Sequence, residues 1–366
     1  MKLSGYQLFW ITSISSMIMF TYIPITLALN EARQDAWISI LLGGAVMLAV
    51  NWLVLRVCIQ NEDKSLVRMM KDLLGTVLGK IIVTAYFAHW FLQMSATVKD
   101  MVNFQNLVML HNTPMPLILF CMLFLVLYAV YKGGLTVISR CAEVIGPIFL
   151  FTLFVQLFLN PQQMNLKRIL PVYADSGWLN IGAGALSSFN YMMDPSIILM
   201  LFFFAESKRA ASRAVLWGTA VSVAWGLLAT LVLLAVTGPD MASKMVVPVY
   251  SLTKMVSILN FIQNIDAFFI PLWLLGAFIK LTTCLFILSY GLSEWSGYRN
   301  WRRIACALTV VWLAYIIYSA RIVQFSYMFR SPWMTGVFFP MLYVGFPLLL
   351  WIVGSVRKRH QAAGYR

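Results

Sequence analysis

The chain has 366 residues, of which 61% are hydrophobic and only 11% charged, against roughly 25% charged in an ordinary soluble domain. That balance excludes a soluble globular enzyme, because so much apolar surface is stable only where lipid covers the outer faces of helices. The formal charge of +14 does not mark a nucleic-acid binder either: the 27 Lys and Arg sit in short loops between apolar runs, with no basic helix and no aromatic–basic strand.

A spanning helix takes about 20 mostly apolar residues. By that measure the spans fall, in chain order, at about 5–29, 36–58, 80–108, 115–131, 135–159, 178–205, 214–237, 265–292, 302–320 and 334–356. They predict one all-α integral-membrane domain of ten helices, in two five-helix halves covering about 5–159 and 178–356. Met1-Lys2-Leu3-Ser4 leads directly into the first apolar run, and no small-residue cleavage site ends that run, so a retained first helix is expected. Residues 65–76, with Arg68 and Lys71 among apolar residues, read as a basic amphipathic helix at the membrane surface. Residues 247–260, entered through Val247-Pro248, predict a short helix lying over the outer mouth.

With the N-terminus inside, the even-numbered connections, both tails and the adjoining helix ends hold 18 basic residues. The other side holds seven, namely Arg33, Lys167, Arg168, Lys244, Lys254, Arg321 and Arg330, while Lys99 and Lys280 lie within spans. The positive-inside rule then puts both termini in the cytoplasm.

Enzyme chemistry has no footing in the motifs. His89, His111 and His360 are isolated, and no H-E-x-x-H, G-x-S-x-G or phosphate loop occurs. Cys58, Cys121, Cys141, Cys284 and Cys306 stand singly, without metal or disulfide spacing, so neither a metal nor another cofactor is expected.

The sixth span is not uniform. Ser187-Ser188-Phe189-Asn190-Tyr191-Met192-Met193-Asp194-Pro195 is a polar interruption between two apolar halves, and Pro195 disfavours helix at Asp194. The first span carries a weaker counterpart, with Ser13, Ser15 and Ser16 before Met17–Thr21 and Pro24 beyond. Paired interruptions in matching places point to a midplane site between inverted repeats; the bland alternative is serines bonded to their own helix and simple proline kinks. Charges inside spans are costly and usually face protein or water. Lys280 either snorkels or pairs with an acid such as Asp194, or it senses a substrate or proton. Lys99 and Asp100, as neighbours, need separate partners; Arg140 and Glu143, three apart, can pair on one helix face; Asp266 begins the eighth span.

Several stretches together resemble the endospore germination permeases, the B subunits of nutrient-germinant receptors, within the amino acid–polyamine–organocation superfamily. They are Ala32-Arg33-Gln34-Asp35-Ala36-Trp37-Ile38-Ser39, Arg168-Ile169-Leu170-Pro171-Val172, and Asn260-Phe261-Ile262-Gln263-Asn264-Ile265-Asp266-Ala267-Phe268-Phe269 with Trp273, Phe278 and Tyr290-Gly291-Leu292-Ser293. The resemblance implies a leucine-transporter-like 5+5 inverted repeat with interrupted helices 1 and 6. It also implies a sensor of amino acids or similar nutrients in the spore inner membrane, beside an A-type membrane subunit and a C-type lipoprotein. A proton-coupled amino-acid transporter of the same superfamily is the other reading. The chain departs from the family pattern in three places: Met17, Ile18 and Met19 stand where glycines are frequent, Ser196 where many members have glutamate, and Asn264 where a basic residue is frequent. On this reading the nutrient lies between Ser15, Ser16 and Thr21 of helix 1 and Asn190, Tyr191 and Asp194 of helix 6, with Gln93 and Thr283 as walls.

Overall fold

The computed structural model describes residues 2–21, 23–61, 64–173, 176–191, 195–245, 247–255, 266–320, 331 and 333–363. Within them the chain is helical, apart from connecting turns and an isolated β-bridge between Leu3 and Ala205.

The first expected span is two helices, α1 (Gly5–Phe20) and α2 (Pro24–Ala32). Ser4 caps α1 reciprocally: its hydroxyl accepts from the Gln7 amide, and the Gln7 side chain accepts from the Ser4 amide. Pro24 has no N–H to give the preceding turn, so the ladder of α1 stops and a new one starts. The break therefore falls after Phe20. Met17, Ile18 and Met19, expected at the break, are regular helix.

A 3-10 turn at Arg33–Asp35 leads into α3 (Ala36–Gln60). The amphipathic helix is α4 (Leu66–Leu74), capped by Ser65, with Leu66, Val67, Met69, Met70 and Leu73 buried and Arg68 and Lys71 exposed. Gly75, at φ 83°, turns the chain directly into α5 (Thr76–Val108), which starts earlier than its apolar run suggested.

The fourth and fifth spans lie in α6 (Met115–Leu157), two helical halves that meet at a kink at Gly134, whose φ is 51°. Its 43 residues would reach ~65 Å if straight, twice the hydrocarbon thickness. Instead it reverses. Asn106 donates to Thr113 O at 2.8 Å beside its start, Gln156 holds its end to Val249 O at 3.0 Å, and Tyr131 O near the bend accepts from Arg302 at 2.9 Å on the opposite face.

The sixth span is α7 (Gly177–Tyr191) and α8 (Pro195–Leu201), with a 3-10 turn at Phe202–Phe204. Then come α9 (Lys208–Thr237), the short α10 (Pro239–Ala242) and α11 (Pro248–Lys254), α12 (Asp266–Ser296) and α13 (Trp301–Ala320). The last span opens with two π-helical turns, Met334–Phe338 and Met341–Gly345, before α14 (Phe346–Ala363). Among the described residues, seven helical runs are long and apolar enough to cross a membrane. The helix α1, the pair α7–α8 and the second half of α6 supply the further crossings.

The ends of these helices gather on two faces. One, the tail face, holds the N-terminus against the end of the sixth span (Leu3 N to Phe204 O, 2.7 Å), Arg68 against Glu294 (3.0 Å) and Gln60 against Ser355 (3.1 Å). The other, the lid face, holds Ser176 against Ala32 O (2.8 Å), the Tyr173 amide against Asp35 (2.9 Å), the Asn165 amide against Ala235 O (2.9 Å), and Arg33 paired with Asp240. Inside, helices approach through small residues. A Cβ at Gly226 would stand 2.5 Å from the Phe20 ring and one at Gly218 2.9 Å from Phe9 O, so α1 lies directly on α9. Ser222 donates to Ser13 O at 3.1 Å across that contact. Outward, large apolar side chains such as Leu179, Phe151 and Trp217 are left uncovered, as lipid contact requires.

Candidate functional site

Both interruptions lie together in the bundle. Ser188, one turn before the end of α7, donates to Pro24 O at the start of α2 across 3.0 Å, and Ser39 of α3 donates to Ile181 O at 2.8 Å behind it. A Cβ at Gly184 would stand 2.7 Å from the Ser39 hydroxyl oxygen, so α7 and α3 are held backbone to side chain at this point. The start of α2 and the end of α7 thus lie side by side.

At the first break Thr21 is the C-cap of α1. Its hydroxyl donates to Ile18 O at 2.7 Å, and it accepts the indole N–H of Trp273, on α12, at 2.7 Å. Deeper in α1, Ser15 and Ser16 are buried inside the helix rather than at its end. The Ser15 carbonyl accepts from the Lys280 ammonium at 3.0 Å, so this buried cation ties α12 to α1. Thr283 returns its hydroxyl to Ile279 O in its own helix at 2.7 Å.

At the second break Asn190 is 1% exposed. Its amide nitrogen donates to Thr335 O, in the first π-helical turn, at 2.9 Å. A carbonyl partner fixes the orientation of the carboxamide, because only the NH₂ side can donate. Its Oδ1 is then left buried with no hydrogen-bond partner among the described residues. Tyr191 closes α7; its side chain and the whole of Asp194 lie outside the described residues. Just beyond the break, the Ser196 hydroxyl accepts from the Trp90 indole of α5 at 2.8 Å. Gln93, one turn on from Trp90, lies beside His89, whose ring meets the Tyr343 hydroxyl in the second π-helical turn. His89 is isolated in sequence and not in space. π-Turns of this kind recur at functional places in helices.

The remaining intramembrane charges lie elsewhere. Lys99 donates to Ser319 O at 3.0 Å, beside the C-terminus of α13, where the helix dipole favours a cation. Asp100 is half-buried on the adjoining side of α5. Arg140 is exposed and Glu143 half-buried on α6, with no ion pair between them among the described residues.

A small cavity adjoins the first break on its lid-face side. Thr21, Trp273, Phe104, Phe149, Gln156 and Tyr250 are among its walls, and α11 forms its roof. Thr21 was expected from the sequence. Trp273 and Gln156 were not, although an indole N–H within a span always demands a partner and could have drawn attention to Trp273.

A family model described as spore germination protein matches residues 2–326. YfkT of Bacillus subtilis (strain 168) is 26% identical over 304 residues, covering 80% of each chain. Spore germination protein B2 of the same organism is 22% identical over 336 residues, covering 91% of this chain and 89% of its own. Among solved structures, Mhp1, a nucleobase-cation-symport-1 family transporter in a closed conformation with bromovinylhydantoin bound, superposes with a TM-score of 0.65 at 11% identity. That match covers 93% of this chain and 77% of the transporter, and it identifies the fold as the leucine-transporter-like 5+5 bundle with interrupted helices 1 and 6.

Proposed function

The chain belongs to the spore germination protein family, a family of non-enzymatic, permease-like integral membrane proteins; on that premise we propose that it is the B-type subunit of a germinant receptor, binding a small nutrient between its two broken helices. The observation that carries this reading is the buried Oδ1 of Asn190 at the second break, which has no hydrogen-bond partner among the described residues. Leaving such an acceptor dry costs on the order of 1–3 kcal/mol, and a ligand N–H group would remove the cost. An amino acid supplies one in its ammonium group. Thr21 stands at the opposite break, and Tyr191 and Asp194 belong to the site by their place in the chain. Ser15, Ser16, Gln93 and Thr283 act behind it, through the α1–α12 tie and the His89 cluster. Binding would shift the population of one arrangement of the broken helices, which an A-type membrane subunit and a C-type lipoprotein in the spore inner membrane would read.

The same reading places both termini in the cytoplasm, supported by the gathering of Arg68, Lys208, Arg302 and Arg357 at the tail face. Reporters fused at Gly75 and Arg366 should report cytoplasm and one at Asn112 the outside; a cytoplasmic Asn112 overturns the orientation. The function is tested by deleting the gene and assaying spores for nutrient-triggered germination, alongside purified chain in liposomes with a proton gradient and labelled amino acids. A nutrient-specific germination defect without concentrative uptake supports the sensor. Gradient-driven uptake with normal germination of the deletion strain contradicts it and makes the chain a transporter.

A further inference from the structure

The outer face of the first half of α6 carries a row of rings that ends in a cation. Phe120, Phe124, Tyr128 and Lys132 follow one another at four-residue spacing, so they stand in line along one side of the helix. The rings stack in succession, with centroids 6.2 and 6.5 Å apart and planes 20° and 27° from parallel, and each is more than half exposed. From Phe120 to Lys132 the row covers ~18 Å of helix, close to one leaflet of the hydrocarbon core.

At its end the kink in α6 meets the turn between α12 and α13 on the tail face. Arg302 donates through Nε to Tyr131 O at 2.9 Å and lies over the Trp301 ring at 5.0 Å. Arg303 donates to the Tyr298 hydroxyl at 3.3 Å, and Arg299 precedes both. Lys132, Arg299, Arg302 and Arg303 are all exposed. None of the four forms an ion pair among the described residues, whereas Arg68 and Lys64 are matched to Glu294 and Asp72. Neither 115–142 nor 295–320 contains an Asp or Glu. Cations gathered without acids repel one another, and an anion among them relieves the repulsion. A guanidinium suits a phosphate in particular, through its planar fork of N–H groups. The adjoining rings suit an apolar chain attached to that anion, because rigid rings offer it many contacts at little entropic cost.

We propose that this surface binds an anionic phospholipid, with its headgroup against Lys132, Arg302 and Arg303 and an acyl chain along Phe120, Phe124 and Tyr128. The inference depends neither on the receptor reading nor on the orientation of the chain in the membrane.

The test is photolabelling of the purified full-length chain in phosphatidylcholine nanodiscs. These carry a small, equal fraction of phosphatidylglycerol or phosphatidylcholine with a diazirine midway along one acyl chain, and labelled peptides are then mapped. Phosphatidylglycerol should label 115–131 at least about fivefold more than phosphatidylcholine does, the factor one basic residue contributes near a bilayer. The two lipids should label 177–186, an exposed apolar stretch of α7 without basic residues, about equally. Lys132→Gln/Arg303→Gln leaves the Arg302–Tyr131 bond in place and should cut the preference at 115–131 to about twofold or less. Lys132→Arg/Arg303→Lys keeps both charges and should retain it. Equal labelling of 115–131 by the two lipids overturns the proposal, as does a preference of the same size at 177–186. So does an undiminished preference in the Gln variant, or its loss in the charge-keeping one. Absence of label at 115–131 from both lipids also overturns it, and is the result expected if a second copy of the chain covers the rings.

Discussion

The two broken helices end in opposite ways. At the first break, Thr21 donates to Ile18 O and accepts from Trp273, and one turn deeper the Ser15 carbonyl is held by Lys280. At the second, Asn190 is anchored through its nitrogen to Thr335 while its oxygen has no partner among the described residues. A break closed by the protein's own groups is architecture, with its polar cost already met. A break that keeps one fixed acceptor without a partner among the described residues fits the proposed recognition of a donor. On the proposed function, recognition of the ligand's N–H group would fall to helix 6.

That division has graded consequences. The largest belongs to Asn190→Ala, which removes the acceptor. Hydrogen bonds to charged groups contribute about 1.5–3 kcal/mol, so the nutrient concentration giving half-maximal germination should rise by about tenfold or more. The amount of protein in spore membranes, read by immunoblot, should stay unchanged; a wild-type dose–response would place recognition elsewhere. Next comes the Thr21–Trp273 contact. Trp273→Phe and Thr21→Val each remove one side of it and should shift the response by about threefold, the scale of a neutral hydrogen bond. The double variant should be little worse than either single, because both delete the same interaction; fully additive shifts would mean the two residues act separately. The smallest effect is expected at Lys99, which serves α13 rather than either break. Lys99→Met should leave the dose–response alone and cost about 1 kcal/mol of stability through loss of a cation at a helix C-terminus, seen as a fall of a few degrees in the midpoint of the detergent-solubilised chain.

Much of this architecture was legible in the sequence because lipid imposes a simple code of length and apolarity. The polar stretch Ser187–Pro195 located the second break correctly, since a proline directly after an acid inside a span is hard to accommodate in an unbroken helix. Helix 1 was harder. Serines 13, 15 and 16 suggested an interruption there, yet serines inside an apolar helix can bond to backbone without breaking it, and only Pro24 marked where the ladder restarts. The fourth and fifth spans were legible as separate because their apolar runs stop on either side of Lys132-Gly133-Gly134, and the positive φ at Gly134 turns the chain there. Asn190 was readable as a polar residue at a break. That its nitrogen rather than its oxygen is tied down depends on Thr335, 145 residues away, and no local pattern encodes that distance. For the same reason His89 looked solitary, its partner Tyr343 being brought in by the last span.

The most direct measurement pairs a change in the protein with the matching change in the ligand. The purified chain and its Asn190→Ala variant would each be titrated with a nutrient amino acid and with its desamino analogue, which keeps the carboxylate and side chain but lacks the ammonium group. If Asn190 Oδ1 receives that group, removing it should weaken binding to the wild type by about tenfold or more and to the variant by little, because the partner is already gone. Equal losses in both proteins would contradict the account, showing that the ammonium group is held by something other than Asn190.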